Sequence, residues 1–316
     1  MGLETREIWR KSNFIVLFQR TPPSIVCPPF WELKWAIGCP FKCAYCYLQG
    51  TLYGRTSPRL KDLEKTAEQL EEFLSWTASV GIKLLLNVGE LCDSLAIPKW
   101  TAKVLEKVIP ILERYPGNKL LFLTKAGKNN IYFLLNNPEF SRFVITSFSL
   151  NPQYVINNFE IGTAPLDCRL EAAQKLQEKG YEVRFRIDPI IPVEKWYVHY
   201  SELIKTIFEG FDVEPERITI GSLRGLKKTI LYAKNKDWLR FLDKKEKTGW
   251  GLKIRKDLRI CLYSTLIKEI RKYGYKGHIA LCKETPDIWR ILSTENLLLD
   301  PGKPSIWENV KCNCKS

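Results

Sequence analysis

The chain has 316 residues, 45% of them hydrophobic, enough to bury a large core as one big domain or two smaller ones. It contains no run of 18 apolar residues, and its opening, MGLETREIWRKSNF, has no apolar h-region, so neither a membrane span nor a secretory signal is expected and the reading is cytoplasmic. A formal net charge of +14 is large for a metabolic enzyme and points to a polyanionic partner, nucleic acid before membrane.

Along the chain, short β-branched runs alternate with longer amphipathic ones. Residues 32–37 read as a first strand and 60–79 as the helix that follows. Further strands are predicted at 83–88, 120–124, 143–150, 182–187 and 217–221, with helices at 99–115, 130–135, 165–179 and 195–209. Thr163 can cap the helix at 165–179, Pro165 suits its first turn, and Gly180 suits the left-handed position beyond its end. Leu166, Leu170, Ala173 and Leu176 then share one face. Strand–helix–strand spacing implies right-handed crossovers and a parallel sheet. The expected fold is therefore α/β, an open, partial (β/α)6 barrel over residues 1–223. Residues 224–316 form a basic α+β extension packed on it, with a helix at 262–273 and a strand at 277–281.

The extension opens on a concentrated charge. From Arg224 to Arg259 there are 13 basic and 4 acidic residues, with Tyr232, Trp238, Phe241 and Trp250 interleaved. That mixture suits a nucleic-acid surface, the plainer alternative being a solvated face over packed aromatics. Arg224, Lys227 and Lys228 follow the last predicted barrel strand directly and would flank a site at the strand ends.

Three of the ten cysteines crowd into IGCPFKCAYCYLQG, as Cys39, Cys43 and Cys46. In a reducing compartment such clusters are metal ligands or catalytic thiols more often than disulfides. Three thiolates can hold three irons of a [4Fe–4S] cluster and leave the fourth open. Zinc would want a fourth ligand, and His199 and His278 lie far off in sequence. In parallel β/α folds the site sits at the C-terminal strand ends. The cysteine loop follows the first predicted strand, and Cys92 follows the second. Four late cysteines, Cys261, Cys282, Cys312 and Cys314, offer a second iron–sulfur cluster or a zinc, with scattered buried thiols as the alternative.

The C-x3-C-x2-C spacing on this loop resembles the radical S-adenosylmethionine (radical SAM) superfamily. Longer stretches resemble spore photoproduct lyases within it: CYLQGTLYG from Cys46, GELCDS at 89–94, LTKAG at 123–127, and SLNPQYVINNFEIGTAPLDCRLEAAQKLQEKGY at 149–181. The resemblance spans residues 31–224. It implies a [4Fe–4S] cluster on Cys39, Cys43 and Cys46, S-adenosylmethionine (AdoMet) at the open iron, and an electron donor such as a flavodoxin or ferredoxin. It implies a DNA substrate, the methylene-bridged thymine dimer 5-thyminyl-5,6-dihydrothymine. A 5′-deoxyadenosyl radical takes a hydrogen from this lesion before the bridge breaks by β-scission.

Carried over by position, Cys92 is the hydrogen donor to the product radical, and Tyr45 and Tyr47 relay a hydrogen back to deoxyadenosine. Gly89, Glu90, Ser94, Lys125, Ser149 and Asn151 fall at the cofactor-binding positions. Three features depart from the family pattern: Asp93-Ser94-Leu95 keeps only its serine in register, Arg224 is followed by Gly225 where the lyases place an aromatic, and Cys261, Cys282, Cys312 and Cys314 are not part of that pattern. Other readings are a radical SAM enzyme acting on RNA or another nucleotide substrate, and a non-catalytic iron–sulfur protein that binds nucleic acid. The last would have no need of Cys92 or the tyrosine pair.

Overall fold

A computed structural model describes residues 12–295, 297–298 and 305–315. Its spine is one eight-stranded sheet whose strands lie side by side in chain order. β1 (Ile15–Phe18) pairs antiparallel with β2 (Phe30–Leu33). From β2 onward every pairing is parallel, through β3 (Leu85–Asn87), β4 (Lys119–Thr124), β5 (Val144–Ser149), β6 (Glu182–Ile190), β7 (Arg217–Ser222) and β8 (His278–Leu281). The expected open β/α sheet is present. The strand read at 277–281 is its seventh parallel member, on the free edge of β7.

Parallel neighbours need long crossovers, and helices supply most of them. α1 (Leu63–Ser79) joins β2 to β3, and α2 (Pro98–Arg114) joins β3 to β4. α3 (Leu166–Glu178), α4 (Trp196–Gly210) and α5 (Lys256–Lys272) lie in the next crossovers but one, β5–β6, β6–β7 and β7–β8. Each buries one stripe, such as Leu70, Phe73 and Leu74 of α1 or Val104, Leu105, Val108 and Leu112 of α2. Leu166, Leu170, Ala173 and Leu176 of α3 are all buried, as their spacing predicts.

Two boundaries differ from the sequence reading. Ala36–Ile37 leaves the main sheet to pair with Arg59–Leu60, so residue 60 is strand and not helix. α1 begins only after Asp62, whose carboxylate caps it by accepting from Lys65 N at 2.9 Å. Thr163 does not cap α3; its hydroxyl donates to Glu160 O at 2.7 Å and accepts from Arg169 Nη2 at 2.6 Å. Gly180 does take the left-handed conformation, at φ 83°.

The interior of the open barrel is filled by the chain's own end. Asn313 Nδ2 donates to Ser147 Oγ at 2.7 Å and to Phe185 O at 2.9 Å, while Thr219 Oγ1 donates to Asn313 Oδ1 at 2.6 Å. Arg184 Nη1 donates to the carbonyls of Asn313 and Lys315, each at 2.7 Å. A polar inner face on β5 and β7 would otherwise be an unsatisfied cost; the tail satisfies it.

The basic segment folds as a short helix at Lys227–Tyr232, a 3-10 turn at Asp237–Phe241, and an antiparallel ribbon of Asp243–Thr248 with Gly251–Lys253, which also pairs with Arg224–Gly225. Trp238 is fully buried, so it packs the core instead of facing a partner. Among the described residues no helix is long and apolar enough to cross a membrane.

Candidate active site

The cysteine loop leaves the sheet after β2 and is pinned from several sides. Lys42–Cys43 pairs with Glu160–Ile161, Ala44 N donates to Phe159 O at 2.7 Å, and Cys39 N donates to Thr56 O at 2.8 Å. Gln49, buried beneath, donates to the carbonyls of Cys43 and Ala44 at 3.2 and 2.8 Å and accepts from Lys234 N at 3.0 Å. Gly50 sits so close to the basic segment that a Cβ there would lie 2.4 Å from Thr229 N. The loop and the extension are thus fitted backbone to backbone.

The loop opens on a cleft of about 870 Å³ at the C-terminal ends of the strands. Cys39, Cys43, Cys46, Tyr45 and Tyr47 line one wall, and Gly89, Glu90, Lys125 and Ser149 line its floor. Arg186, Asp188, Arg224, Cys282 and Lys283 also line the cleft, with Trp250 of the ribbon turn. A volume of this order is usual for small-ligand sites of ~300–1,000 Å³.

Beneath the cysteine wall lies a hub that the sequence reading missed, Glu160. It is buried, and its carboxylate accepts from Lys125 Nζ at 3.0 Å, Asn151 Nδ2 at 2.8 Å and Arg169 Nη2 at 2.7 Å, and from the Tyr45 hydroxyl. Burial alone would raise its pKa, but Lys125 and Arg169, with the Tyr45 and Asn151 bonds, hold it well below the usual carboxylate range. Burial and the neighbouring Glu160 charge push the Tyr45 phenol well above its ordinary value, so it keeps its proton. Lys125 also donates to Ser149 Oγ, and Tyr47 donates to the Glu90 carbonyl. Glu160 and Arg169 both lie inside the long block 149–181, but nothing in their spacing marks a hub that four separate elements create.

The expected cofactor residues fall into two groups. Gly89, Glu90, Lys125 and Ser149 face the cleft. Ser94 and Asn151 are fully buried behind it, where Ser94 Oγ accepts from Leu123 N at 3.0 Å and Asn151 Oδ1 from the Tyr200 hydroxyl at 3.1 Å. Cys92 is 3% exposed and outside the cleft lining, with its thiol hydrogen-bonded to Cys39; that bond and burial push the Cys92 thiol far up, while the same bond lowers Cys39 against the effect of its own burial.

Arg224 does not reach out to a phosphate surface. Its Nη2 pairs with Asp188 Oδ1 at 2.6 Å and its Nη1 donates to Cys282 O at 2.9 Å, inside the cleft. Lys227 and Lys228 are exposed, Lys228 donating to the Tyr53 hydroxyl at 2.9 Å.

The four late cysteines are not one set. Cys261 is exposed on α5, turned outward by that helix. Cys282, Cys312 and Cys314 instead share a small cavity of about 20 Å³ with Cys27, and Arg186 Nη2 donates to Cys314 Sγ at 3.1 Å. Among the described residues no three His, Cys, Asp or Glu side chains converge as they would on a single metal ion.

Two features fit the groups that the loop suggests. Cys39, Cys43 and Cys46 are free thiols opening on one space. Arg186, which lines the same cleft, keeps a buried Nε without a partner.

An open parallel β/α sheet carrying three thiols of C-x3-C-x2-C spacing at its C-terminal edge is the architecture of a radical SAM protein. A family model described as spore photoproduct lyase matches residues 18–252, and the chain belongs to that family. It is 29% identical over 250 residues to the spore photoproduct lyase of Geobacillus sp. (strain Y412MC61), covering 76% of this chain and 72% of that protein. With the spore photoproduct lyase of Bacillus subtilis (strain 168) the identity is 30% over 232 residues, 70% of this chain and 65% of that one. Among solved structures, a spore photoproduct lyase double mutant with bound AdoMet and dinucleoside spore photoproduct superposes with a TM-score of 0.65 at 25% identity, over 85% of this chain and 79% of the other. Spore photoproduct lyase complexed with dinucleoside spore photoproduct gives 0.65 and 25%, over 84% and 78%.

Proposed function

We propose that this chain is a radical SAM carbon–carbon lyase that reverses the methylene-bridged thymine dimer 5-thyminyl-5,6-dihydrothymine in DNA. One juxtaposition carries the reading: three thiols at cluster spacing and two phenols open on the same cleft, in a member of this family. When bound, the [4Fe–4S] cluster and AdoMet supply the carbon-centred radical that removes a hydrogen atom from the lesion, with the electron coming from a carrier such as a flavodoxin or ferredoxin.

The chain's own residues divide the remaining work. Cys39, Cys43 and Cys46 would hold three irons. Gly89, Glu90, Lys125 and Ser149 would hold AdoMet on the floor of the cleft, with Ser94 and Asn151 positioning them from behind. Tyr45 and Tyr47 hold hydrogen at their phenol oxygens, Tyr45 against Glu160 and Tyr47 against Glu90. Asp188 and Arg224 neutralise each other within the cleft, which leaves the exposed Lys227 and Lys228 to meet the phosphate backbone.

The test is direct. Anaerobically reconstituted protein with AdoMet, dithionite and a dinucleotide spore photoproduct should return two intact thymines, and Cys43→Ala protein should return none. A wild-type protein that cleaves AdoMet yet leaves the lesion untouched would overturn the substrate assignment.

A further inference from the structure

We propose that the outer face of the cysteine loop, centred on Lys42 and Ile161, is where a small acidic flavoprotein of the flavodoxin class docks to deliver its electron. This rests on the cluster and AdoMet reading above and names the surface through which that chemistry is supplied.

The electron has to reach the three thiols from a side that AdoMet and the lesion do not occupy. The thiols open on the cleft, so that side is taken once the enzyme is loaded. At Cys43 the backing of the loop is a single two-stranded ribbon. Lys42–Cys43 pairs antiparallel with Glu160–Ile161, Lys42 opposite Ile161 and Cys43 opposite Glu160. Successive side chains of a strand point to opposite faces. Cys43 and Glu160 are accordingly buried on the inner face, while Lys42 and Ile161 are exposed on the outer one, Ile161 by 52%. An apolar side chain is thus left open beside a lysine, one residue along the chain from a cluster thiol.

Positive charge flanks this ribbon. Ala44 N donates to Phe159 O at 2.7 Å, and the Phe159 ring meets Phe241 edge-on with centroids 6.2 Å apart. The Arg240 guanidinium lies 4.9 Å from the centre of the Phe241 ring. Gln49, which holds the carbonyls of Cys43 and Ala44, accepts from Lys234 N at 3.0 Å. Residues 234–241 are therefore fastened to the same two loop residues as the ribbon. Lys234, Lys236 and Arg240 are exposed there, with Asp237 the one acid among them. Together with Lys42 they make a cationic rim, which draws in an acidic partner and speeds its encounter. A flavin presents an apolar dimethylbenzene edge; set in an acidic surface, it matches both Ile161 and the rim. The basic segment then serves two partners, with Lys227 and Lys228 left to the DNA.

The transfer is of an electron alone. The reduced flavin of the carrier loses one electron and the oxidised cluster gains it. No atom crosses the interface, so the carrier needs contact with the ribbon and no opening into the cleft.

The experiment compares wild-type, Lys42→Glu/Lys234→Glu and Ile161→Asp holoenzymes. Calorimetric titration with oxidised flavodoxin, in which no turnover occurs, should show Kd raised about tenfold or more in both variants. Stopped-flow association of the double variant should be slower and less dependent on salt, because rim charges act chiefly on encounter. Deoxyadenosine formation driven by reduced flavodoxin should need about tenfold more carrier for half its maximal rate. Dithionite, a small reductant that needs no docking face, should drive all three proteins equally. Equal Kd across the three would overturn the surface, as would an equal loss with dithionite, the mark of a damaged cysteine loop. A fall in DNA affinity with flavodoxin binding unchanged would give the face to nucleic acid instead. A loss seen with a ferredoxin and not with flavodoxin would refute the flavin partner. The lyase reading fails separately: wild-type protein that cleaves AdoMet with flavodoxin yet leaves the lesion intact sinks the substrate and not the docking face.

Discussion

Glu160 shows how much a single side chain can organise. Its carboxylate joins Tyr45 of the cysteine loop, Lys125 beyond β4, Asn151 beyond β5 and Arg169 of α3. Glu160 and Arg169 are both fully buried, so the pair is a specificity device more than a source of net stability. Removing one partner leaves the other charge stranded, and Glu160→Ala should cost about 3–5 kcal/mol in denaturant unfolding. A carboxyl held below its unfolded pKa stabilises the fold fully above that value, about 4.3, and loses the contribution as pH falls toward its folded pKa. Wild-type stability should therefore drop between roughly pH 5 and pH 3 more steeply than that of Glu160→Gln, measured as midpoint against pH. Equal slopes would show that Glu160 is not held down by its neighbours.

At the scale of elements, the tail and the ribbon matter more than their lengths suggest. Residues 312–315 fill the interior of the open barrel, and Asn313 alone meets Ser147, Phe185 and Thr219. Asn313→Ala would remove all three side-chain bonds and keep only the backbone N–H of residue 313 donating to Thr219 Oγ1; each buried group left without a partner costs about 1–3 kcal/mol. Thermal unfolding should show a clear fall in Tm, with no change in the iron content of reconstituted protein. The ribbon brings Trp250 to the cleft, where Lys283 Nζ lies 4.7 Å from its ring centroid. Trp250 stands in the turn just before the strand that pairs with Arg224–Gly225, 25 residues on from the glycine that follows Arg224.

Over the whole molecule, the charge is the dominant long-range feature. Lys227 and Lys228 are exposed beside the cysteine loop, which the packing of Gly50 against Thr229 holds in place. If they contact phosphates, log K for duplex DNA should fall with log salt by roughly 0.9 per neutralised phosphate. The double variant Lys227→Ala/Lys228→Ala should flatten that slope by up to about two such units and weaken all sequences alike. An unchanged slope would place the DNA elsewhere.

What could be read from the chain alone was whatever lies close along it. The cysteine spacing, the flanking tyrosines, the order of parallel strands and the buried stripe of α3 all follow from local periodicity, and each appears in the fold. Contacts between residues far apart in sequence had no such signal. Glu160 becomes a hub because the strand ends bring its partners within hydrogen-bond reach. Cys282 lines the cleft because β8 joins the sheet beside β7 and ends there. Cys92 follows the second parallel strand as expected, and its buried thiol lies against Cys39 of the cysteine loop. Position along a chain places a residue near a site; the packing of the strands and loops determines which way its side chain faces.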